Sequence, residues 1–138
     1  MKKIALLTII FCFYLGIAAQ NSIIDTTRSG DHTTLSKILK AGKSPDIPNR
    51  FNKTALMYAC YDGDFESVKI LIENGADINR QDNEGWTALF YAVSKNREDI
   101  AQYLIAKGAN KQIKDISGKR PYDYAVADGN TQIADMVR

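Results

Sequence analysis

The chain has 138 residues, of which 45% are hydrophobic and 25% are charged, and its formal net charge is +2. This length is enough for one compact domain, and this composition is ordinary for a folded soluble protein. Two of the 18 basic residues, Lys2 and Lys3, lie in an N-terminal segment that we expect to be cleaved off. The other 16 basic residues balance 16 acidic residues. Because the mature chain would then carry no net charge, we expect it to bind neither nucleic acid nor an anionic membrane.

The first 19 residues, MKKIALLTIIFCFYLGIAA, are typical of a bacterial secretory signal peptide. A short basic start leads into an apolar run from Ile4, and small residues at Ala18 and Ala19 end it. The other interpretation is an uncleaved anchor, but the run from Ile4 to Ala19 has 16 residues, whereas about 20 are needed to cross a bilayer. We therefore predict a signal peptide over 1–19, cleavage after about Ala19, and a periplasmic or secreted mature protein without stable membrane insertion.

The mature chain is predicted to begin directly with a pair of helices. These helices are expected over Ser22–Ser29 and His32–Ala41. In the second of them, Leu35, Ile38 and Leu39 follow helical spacing, so that one face is expected to be buried. No turn-forming segment precedes this pair, which is what a terminal, capping unit requires.

A 33-residue period organises the rest of the chain. Residues 49–81 aligned with 82–114 give 9 identities in 33 positions, and chance would give about two at ordinary composition. Glycines recur with the same period, and Asn stands in for Gly where the period twice lacks it, because both residues enter the left-handed backbone region cheaply. We predict a turn at each position of three series: Gly42, Gly75 and Gly108; Gly30, Gly63, Asn96 and Gly129; and Asn52, Gly85 and Gly118.

Each repeat between these turns is predicted to hold two short helices. In the first complete repeat, Thr54 is suited to cap a helix over Ala55–Tyr61, and a second helix covers Phe65–Asn74, with Val68, Leu71 and Ile72 inward. The equivalents one period later are Ala88–Ser94 and Glu98–Lys107, with Ile100, Tyr103 and Leu104 inward. Helices this short are not stable alone, so stacking on neighbours must bury their apolar faces.

These units resemble ankyrin repeats. TALMYA (54–59) and TALFYA (87–92) stand where that family has Thr-Pro-Leu-His-x-Ala, and ENGADIN (73–79) and AKGANKQ (106–112) resemble its Gly-Ala-Asp-Val-Asn close. The resemblance implies an all-α solenoid of helix-turn-helix units joined by β-hairpin-like fingers. It implies about two full repeats and two capping partial repeats, with unit 1 at about 21–48, unit 2 at 49–81, unit 3 at 82–114 and unit 4 at 115–138, within a repeat domain over 20–138.

The chain departs from the family motif at two positions. The motif His is replaced by Met57, Phe90 and Asp123, and the motif Pro occurs only as Pro121, where it suits the first position of a helix. The polar residues near Arg138 suit a terminal unit that faces water.

The resemblance also implies a concave surface, built from fingertips and first helices, that binds another protein. The family's contact positions carry over to this chain residue by residue, and Arg28 lies at the corresponding end of the first unit. Aromatic and Arg side chains among them are the types that dominate interface energetics. The predicted partner-binding residues are Arg50, Phe51, Lys53, Tyr61, Asp62, Asn83, Glu84, Trp86, Lys95 and Lys119.

Trp86, the only Trp in the chain, aligns with Lys53 and Lys119 in the repeat register. A position that takes Lys, Trp and Lys is not expected to lie in a core, which favours display to a partner. The other interpretation is that the ring folds over its neighbouring hairpin and covers its own repeat. A second aromatic series aligns with internal positions and is predicted to form a packed ladder between repeats: Tyr58, Tyr91 and Tyr124.

No catalytic, cofactor or metal site is predicted. His32 is the only His, no His/Cys cluster or Gly-rich phosphate loop occurs, and Cys60, left alone once Cys12 is cleaved off, is expected in the core. We predict a monomer that is not an enzyme, an exported module that docks a protein partner. Its expected role is an inhibitor or immunity-type protein, or an accessory protein of an envelope enzyme; the alternative is a secreted effector acting on host proteins.

Overall fold

A computed structural model of the protein describes residues 23–138; the predicted signal peptide and its cleavage site lie outside these residues. Within them the chain folds into helices joined by turns, without a strand, which confirms the predicted all-α class. The helices of the first three units lie within one residue of their predicted bounds. They are 23–28 (α1), His32–Lys40 (α2), Ala55–Asp62 (α3), Phe65–Glu73 (α4), Ala88–Ser94 (α5), Glu98–Ala106 (α6), Pro121–Ala127 (α7) and Thr131–Val137 (α8).

The helices form two layers. The first helices of successive units pack in the order α3, α5, α7, and the second helices pack in the order α2, α4, α6, α8. The core lies between the layers and repeats with the sequence: Leu56 and Leu89 are buried in the first layer, and Leu71 and Leu104 in the second. No unit closes a core of its own, so each depends on its neighbours for stability.

The second helices bury a narrower stripe than predicted. One residue of each predicted inward set, Ile38, Ile72 or Tyr103, is only partly buried and packs against the edge of the core. A helix of nine residues that faces a single layer buries its central positions fully, while residues at the side of the apolar stripe stay at the rim.

The turns lie where the three series predict them. All eight glycines of the series have positive φ, and the two other residues with positive φ are Asn52 at 58° and Asn96 at 53°. Thr54 caps α3 through a hydrogen bond from the Met57 amide, and Pro121 is the first residue of α7. The recurring Gly or Asn therefore marks a backbone requirement of every unit.

The fingers are tight turns rather than β-hairpins. In each finger an Asx residue donates its backbone N–H to the carbonyl four residues later, as from Asp82 to Trp86 at 3.0 Å. Successive fingers are joined to each other by backbone hydrogen bonds, from Asn83 to the Phe51 carbonyl and from Ile116 to the Glu84 carbonyl, both 3.1 Å. The fingers thus form a continuous hydrogen-bonded edge along the stack.

Gly85 lies at the closest approach between two fingers, and Gly85→Ala should destabilise the fold more than Gly118→Ala. Both glycines have φ of +76°, and left-handed backbone costs an L-residue about 1–2 kcal/mol. A Cβ at Gly85 would lie 2.9 Å from Asp115 Cα, whereas a Cβ at Gly118 meets nothing within 4 Å. We expect a further loss of about 1–3 kcal/mol at Gly85, measured by urea unfolding, because backbone must move. Equal losses in the two variants would contradict this close contact.

Candidate functional site

Each finger is held onto the first helix of its own unit by an Asx residue and a tyrosine. The Asp82 carboxylate accepts the backbone N–H groups of Glu84 and Trp86 through Oδ1, at 2.9 and 3.0 Å. Its Oδ2 accepts the Tyr91 hydroxyl at 2.5 Å. Burial and this carboxylate raise the Tyr91 pKa far above its usual range, so the hydroxyl stays protonated and keeps donating.

The other two fingers repeat this arrangement with one difference. Asp115 accepts the Tyr124 hydroxyl at 2.5 Å. Burial alone would raise the Asp115 pKa, but hydrogen bonds from Tyr124 and from backbone amides outweigh it and hold that pKa below its usual range. In unit 2 the residue is Asn49, and its amide donates to the Tyr58 hydroxyl oxygen at 3.0 Å. Tyr58 is therefore an acceptor where Tyr91 and Tyr124 are donors.

A cleft of about 280 Å³ opens between α3 and α5, and we call it the tyrosine cleft. Met57 and Tyr91 are buried and form its floor, Tyr58 is half-buried, and the Tyr61 side chain is 44% exposed. Lys53 reaches it from the first finger. Two predicted partner-binding residues, Lys53 and Tyr61, thus line one cavity together with residues that sequence reasoning assigned only to packing.

Cations cover the tyrosine rings of this cleft. Lys53 Nζ lies 5.2 Å from the centre of the Tyr91 ring, and Lys95 Nζ lies 4.5 Å from that of Tyr61. The Arg28 guanidinium carbon lies 5.1 Å from the centre of the Tyr58 ring. These distances are within the roughly 6 Å of a cation–π interaction. Lys95 and Arg28, at the ends of α5 and α1, therefore lie on rings that line the cleft, and Arg28 itself lines the neighbouring open cleft.

A second, smaller cleft lies beside the tyrosine cleft, at the fingertips. It has a volume of about 200 Å³ and is lined by Phe51, Lys53, Asp82, Asn83 and Glu84. Phe51 is 49% exposed. The Arg50 guanidinium carbon lies 4.7 Å from the centre of the Phe51 ring. Five of the predicted partner-binding residues are therefore neighbours on the first two fingers.

Asp62 lies apart from both of these clefts. It lines a wide, open cleft of about 560 Å³ near the loops that join the helices of each pair, with Asp25 and Arg28. Its backbone carbonyl accepts Arg97 Nη2 at 3.2 Å. The Arg97 guanidinium lies above Gly63, since a Cβ there would come within 2.7 Å of it. Sequence reasoning missed Arg97, although the register gave a signal: Arg97 stands where Asp31, Asp64 and Asn130 cap helices.

Trp86 and Lys119 lie toward the other end of the stack, against Tyr124. The Trp86 ring is half-buried, with its centre 5.6 Å from that of Phe90 and 5.2 Å from those of both Tyr91 and Tyr124. Lys119 Nζ lies 5.5 Å from the centre of the Tyr124 ring. These contacts favour the packing interpretation of Trp86 over display to a partner. The position lies outside the core, as expected, but the ring is partly buried and packs against the edge of the core.

Two of the three residues that stand at the motif His position cap the start of their own helix. The Met57 sulfur and the Asp123 carboxylate each accept the backbone N–H of the residue before their own helix, at 3.4 and 2.7 Å. Phe90 makes no such bond and instead lies under Trp86. Cys60 is fully buried, and burial raises its pKa well above its usual range.

His32 and Asp64 link the first two units. The carboxylate of Asp64 accepts His32 Nε2 at 2.9 Å and also accepts the Ser67 amide at 3.1 Å, which caps α4. Burial alone would raise the Asp64 pKa, but the hydrogen bonds from Ser67 and His32 outweigh it and hold the pKa below its usual range. Asp64 thus joins the two units most firmly when it is ionised.

Asp64→Asn should flatten the loss of stability in acid. A group whose pKa is lowered by folding stabilises the protein at a pH above the pKa that the group has in the unfolded chain, which is about 3.9 for Asp. This contribution is lost as the pH falls through the pKa that the group has in the folded protein. Asn still caps a helix, so the cap itself is kept. The measurement is the unfolding free energy between pH 3 and 7. Asp46→Asn should act in the opposite direction, since burial raises the Asp46 pKa; an unchanged acid limb in Asp64→Asn would contradict the assignment.

Residues 23–138 contain no cluster of His, Cys, Asp and Glu suited to a metal ion. In the same part of the chain, no helix has the length and apolar character needed to cross a bilayer.

Comparisons with known proteins agree on the repeat. A model of the family described as ankyrin repeats (3 copies) matches residues 15–115. The chain is 39% identical over 62 residues to ankyrin repeat domain-containing protein 29 of Danio rerio, which is 44% of this chain and 21% of that protein. It is 38% identical over 64 residues to protein phosphatase 1 regulatory subunit 27 of Mus musculus, which is 46% of this chain and 42% of that protein. The chain thus spans less than half of the length of either relative.

Proposed function

The chain belongs to the ankyrin-repeat family, whose repeats generally bind proteins, and we propose that this one docks a protein partner on the face formed by its fingers and first helices, without catalysis. One observation carries the proposal. All the large hydrophobic side chains that stay exposed in residues 23–138 lie on fingers or first helices: Phe51, Tyr61, Ile116 and Val126. Exposed apolar side chains confined to one face are what an interaction surface requires.

Site-specific photo-crosslinking tests which face binds. A benzophenone amino acid at position 51 or 61 should crosslink one partner in the cell that produces the protein. The same group at Gln102, exposed on α6, serves as control and should give no crosslink. Crosslinking from position 102 alone would place the partner on the second helices and reject the proposal.

Export is the second element of the proposal, supported by the composition of residues 1–19. In a bacterial host, mass spectrometry of the exported chain should find Gln20 as its first residue. A chain that keeps Met1 in the cytosol would reject export. If the chain is exported, the protein acts as a monomer in the periplasm or outside the cell.

Within that compartment, the role we propose is regulation of an enzyme by binding, either as an inhibitor or immunity-type protein or as an accessory protein of an envelope enzyme. The similarity to a chain named as a regulatory subunit of a phosphatase supports regulation by docking. An inhibitor should bind one partner tightly at 1:1 stoichiometry and block it, whereas an accessory protein should change the partner's abundance or activity. The alternative, a secreted effector acting on host proteins, requires export beyond the cell envelope.

A further inference from the structure

We infer that the tyrosine cleft recognises an acidic segment of the partner that carries one aromatic or large aliphatic side chain. This inference rests on the proposed docking function and specifies the chemistry of the partner segment that docks. It is carried by the shape of the cleft, by the cations around it and by the hydrogen-bonding state of Tyr58.

The shape of the cleft suits one side chain. Its volume of about 280 Å³ is just below the roughly 300–1,000 Å³ of small-molecule pockets. Its floor is apolar, because the Met57 side chain and the Tyr91 ring form it, and the Tyr61 ring stands against Tyr91 edge-on with centres 6.2 Å apart. A ring or branched aliphatic group inserted here would be surrounded by aromatic and thioether surface, as interface anchors are.

The cations at the cleft form no ion pairs within the residues that the structure describes. Arg28, Lys53 and Lys95 each lie on a tyrosine face of this cleft. None of the ion pairs within residues 23–138 includes any of the three. Arg28 also lines the open cleft, where Asp62 lies, and Lys53 also lines the fingertip cleft beside Glu84, but neither cation forms an ion pair with these acids. Carboxylates of a partner would find cations already held in place by the rings, which favours an acidic segment.

Tyr58 adds a hydrogen-bond donor to this cleft. Its hydroxyl oxygen accepts from Asn49, whereas the equivalent hydroxyls of Tyr91 and Tyr124 donate to carboxylates. In residues 23–138 no acceptor receives the Tyr58 hydroxyl proton. The Asn at position 49, where the other units have Asp, therefore leaves a donor suited to a carboxylate of the partner.

A nucleic acid or an anionic membrane fits the same features less well. Either would require an extended basic track, whereas the three cations here lie on the tyrosine rings of one small cleft. An acidic protein segment with one anchor side chain uses both the charges and the apolar floor.

Selection from a random peptide library displayed on phage tests the inference. The purified protein should enrich peptides in which Asp or Glu flank a Trp, Phe, Tyr, Leu or Ile. A selected peptide, made synthetically, is then measured by fluorescence anisotropy against the protein, with a DNA oligonucleotide and phosphatidylglycerol vesicles as further probes. Tyr61→Ala tests the anchor, and the triple variant Arg28→Gln, Lys53→Gln, Lys95→Gln tests the cations. The triple variant Lys37→Gln, Lys69→Gln, Lys107→Gln removes the same charge from α2, α4 and the residue that follows α6, and is the control.

We expect Tyr61→Ala and the cleft triple variant each to raise Kd by about tenfold or more, with little change in the control. Raising the salt concentration should weaken binding, because charge pairs are screened. The inference would be overturned if acidic peptides were not enriched. It would also be overturned if the protein bound DNA or vesicles and the cleft triple variant lost this binding. Neutral or basic peptides that lose binding in Tyr61→Ala would reject only the acidic class and keep the docking face. Peptides unaffected by Tyr61→Ala, by Phe51→Ala and by the cleft triple variant would reject the docking face as well.

Discussion

Leu71→Ala should lower the free energy of unfolding by roughly 2–5 kcal/mol, because it leaves a cavity in a fully buried position. Leu71 has no exposed surface and belongs to the core cluster between the two layers of helices. Its helix, α4, packs against α2, α3 and α6. A cavity there loosens contacts to both neighbouring units, on which short stacked helices depend for most of their stability.

Urea unfolding followed by circular dichroism measures this loss. Glu73→Ala, an exposed change two residues later on the same helix, is the control and should stay within about 0.5 kcal/mol of the parent protein. A loss below about 1 kcal/mol for Leu71→Ala would mean that the layers collapse onto the vacated space, which would contradict a tightly packed interior.

Trp86→Ala should cost about 2 kcal/mol or more, somewhat less than the roughly 3–5 kcal/mol of a fully buried Trp. The half-buried ring touches three others, Phe90, Tyr91 and Tyr124. Each aromatic pair contributes about 0.5–1.5 kcal/mol beyond the area it buries. Because Tyr124 belongs to the following unit, the variant should also weaken the attachment of unit 4.

Thermal unfolding and partner binding together test this assignment. Lys119→Ala, at the equivalent position one period later and also above Tyr124, is the matched control and should have a much smaller effect on stability. If Trp86→Ala instead left the melting temperature unchanged and abolished partner binding, the ring would be a contact residue, as its position on the finger first indicated.

The sequence predicted the scaffold because backbone requirements repeat with the period. Asn52 and Asn96 adopt the left-handed conformation that the Gly series predicted for them. The helices between the turns followed from the spacing of apolar residues, and Thr54 and Pro121 occupy the cap and first-turn positions expected of them. These features depend on local backbone and on helical spacing, and they recur in every unit, so comparison of the units is enough to predict them.

The environment of Trp86 could not be predicted in the same way. Lys53, Trp86 and Lys119 share one position of the repeat, but their side chains do not share one environment. In the structure, Lys53 places its ammonium group on Tyr91 of the next unit, and Trp86 places its indole against Tyr124 of the next unit. A tyrosine ring accepts either a cation or another ring, so alternation of Lys and Trp does not distinguish a displayed residue from a packed one.

The tyrosine cleft also depends on contacts that alignment of repeats conceals. Arg28, Lys53 and Lys95 occupy different positions of the repeat, and each lies on a different tyrosine ring of the cleft. Tyr58 and Tyr91 serve at once as supports of the fingers and as walls of the cleft. From the sequence, Tyr58 and Tyr91 were assigned only their role in packing and not their role in the cleft.

The place of the single indole gives the protein an intrinsic optical probe of one boundary. Trp86 contacts two rings of unit 3 and one of unit 4, so its emission responds to separation of those two units, while ellipticity averages over all helices. If the C-terminal unit detaches first, the emission maximum shifts to the red before helical signal is lost. The order in which the stack opens can therefore be measured on the unlabelled chain.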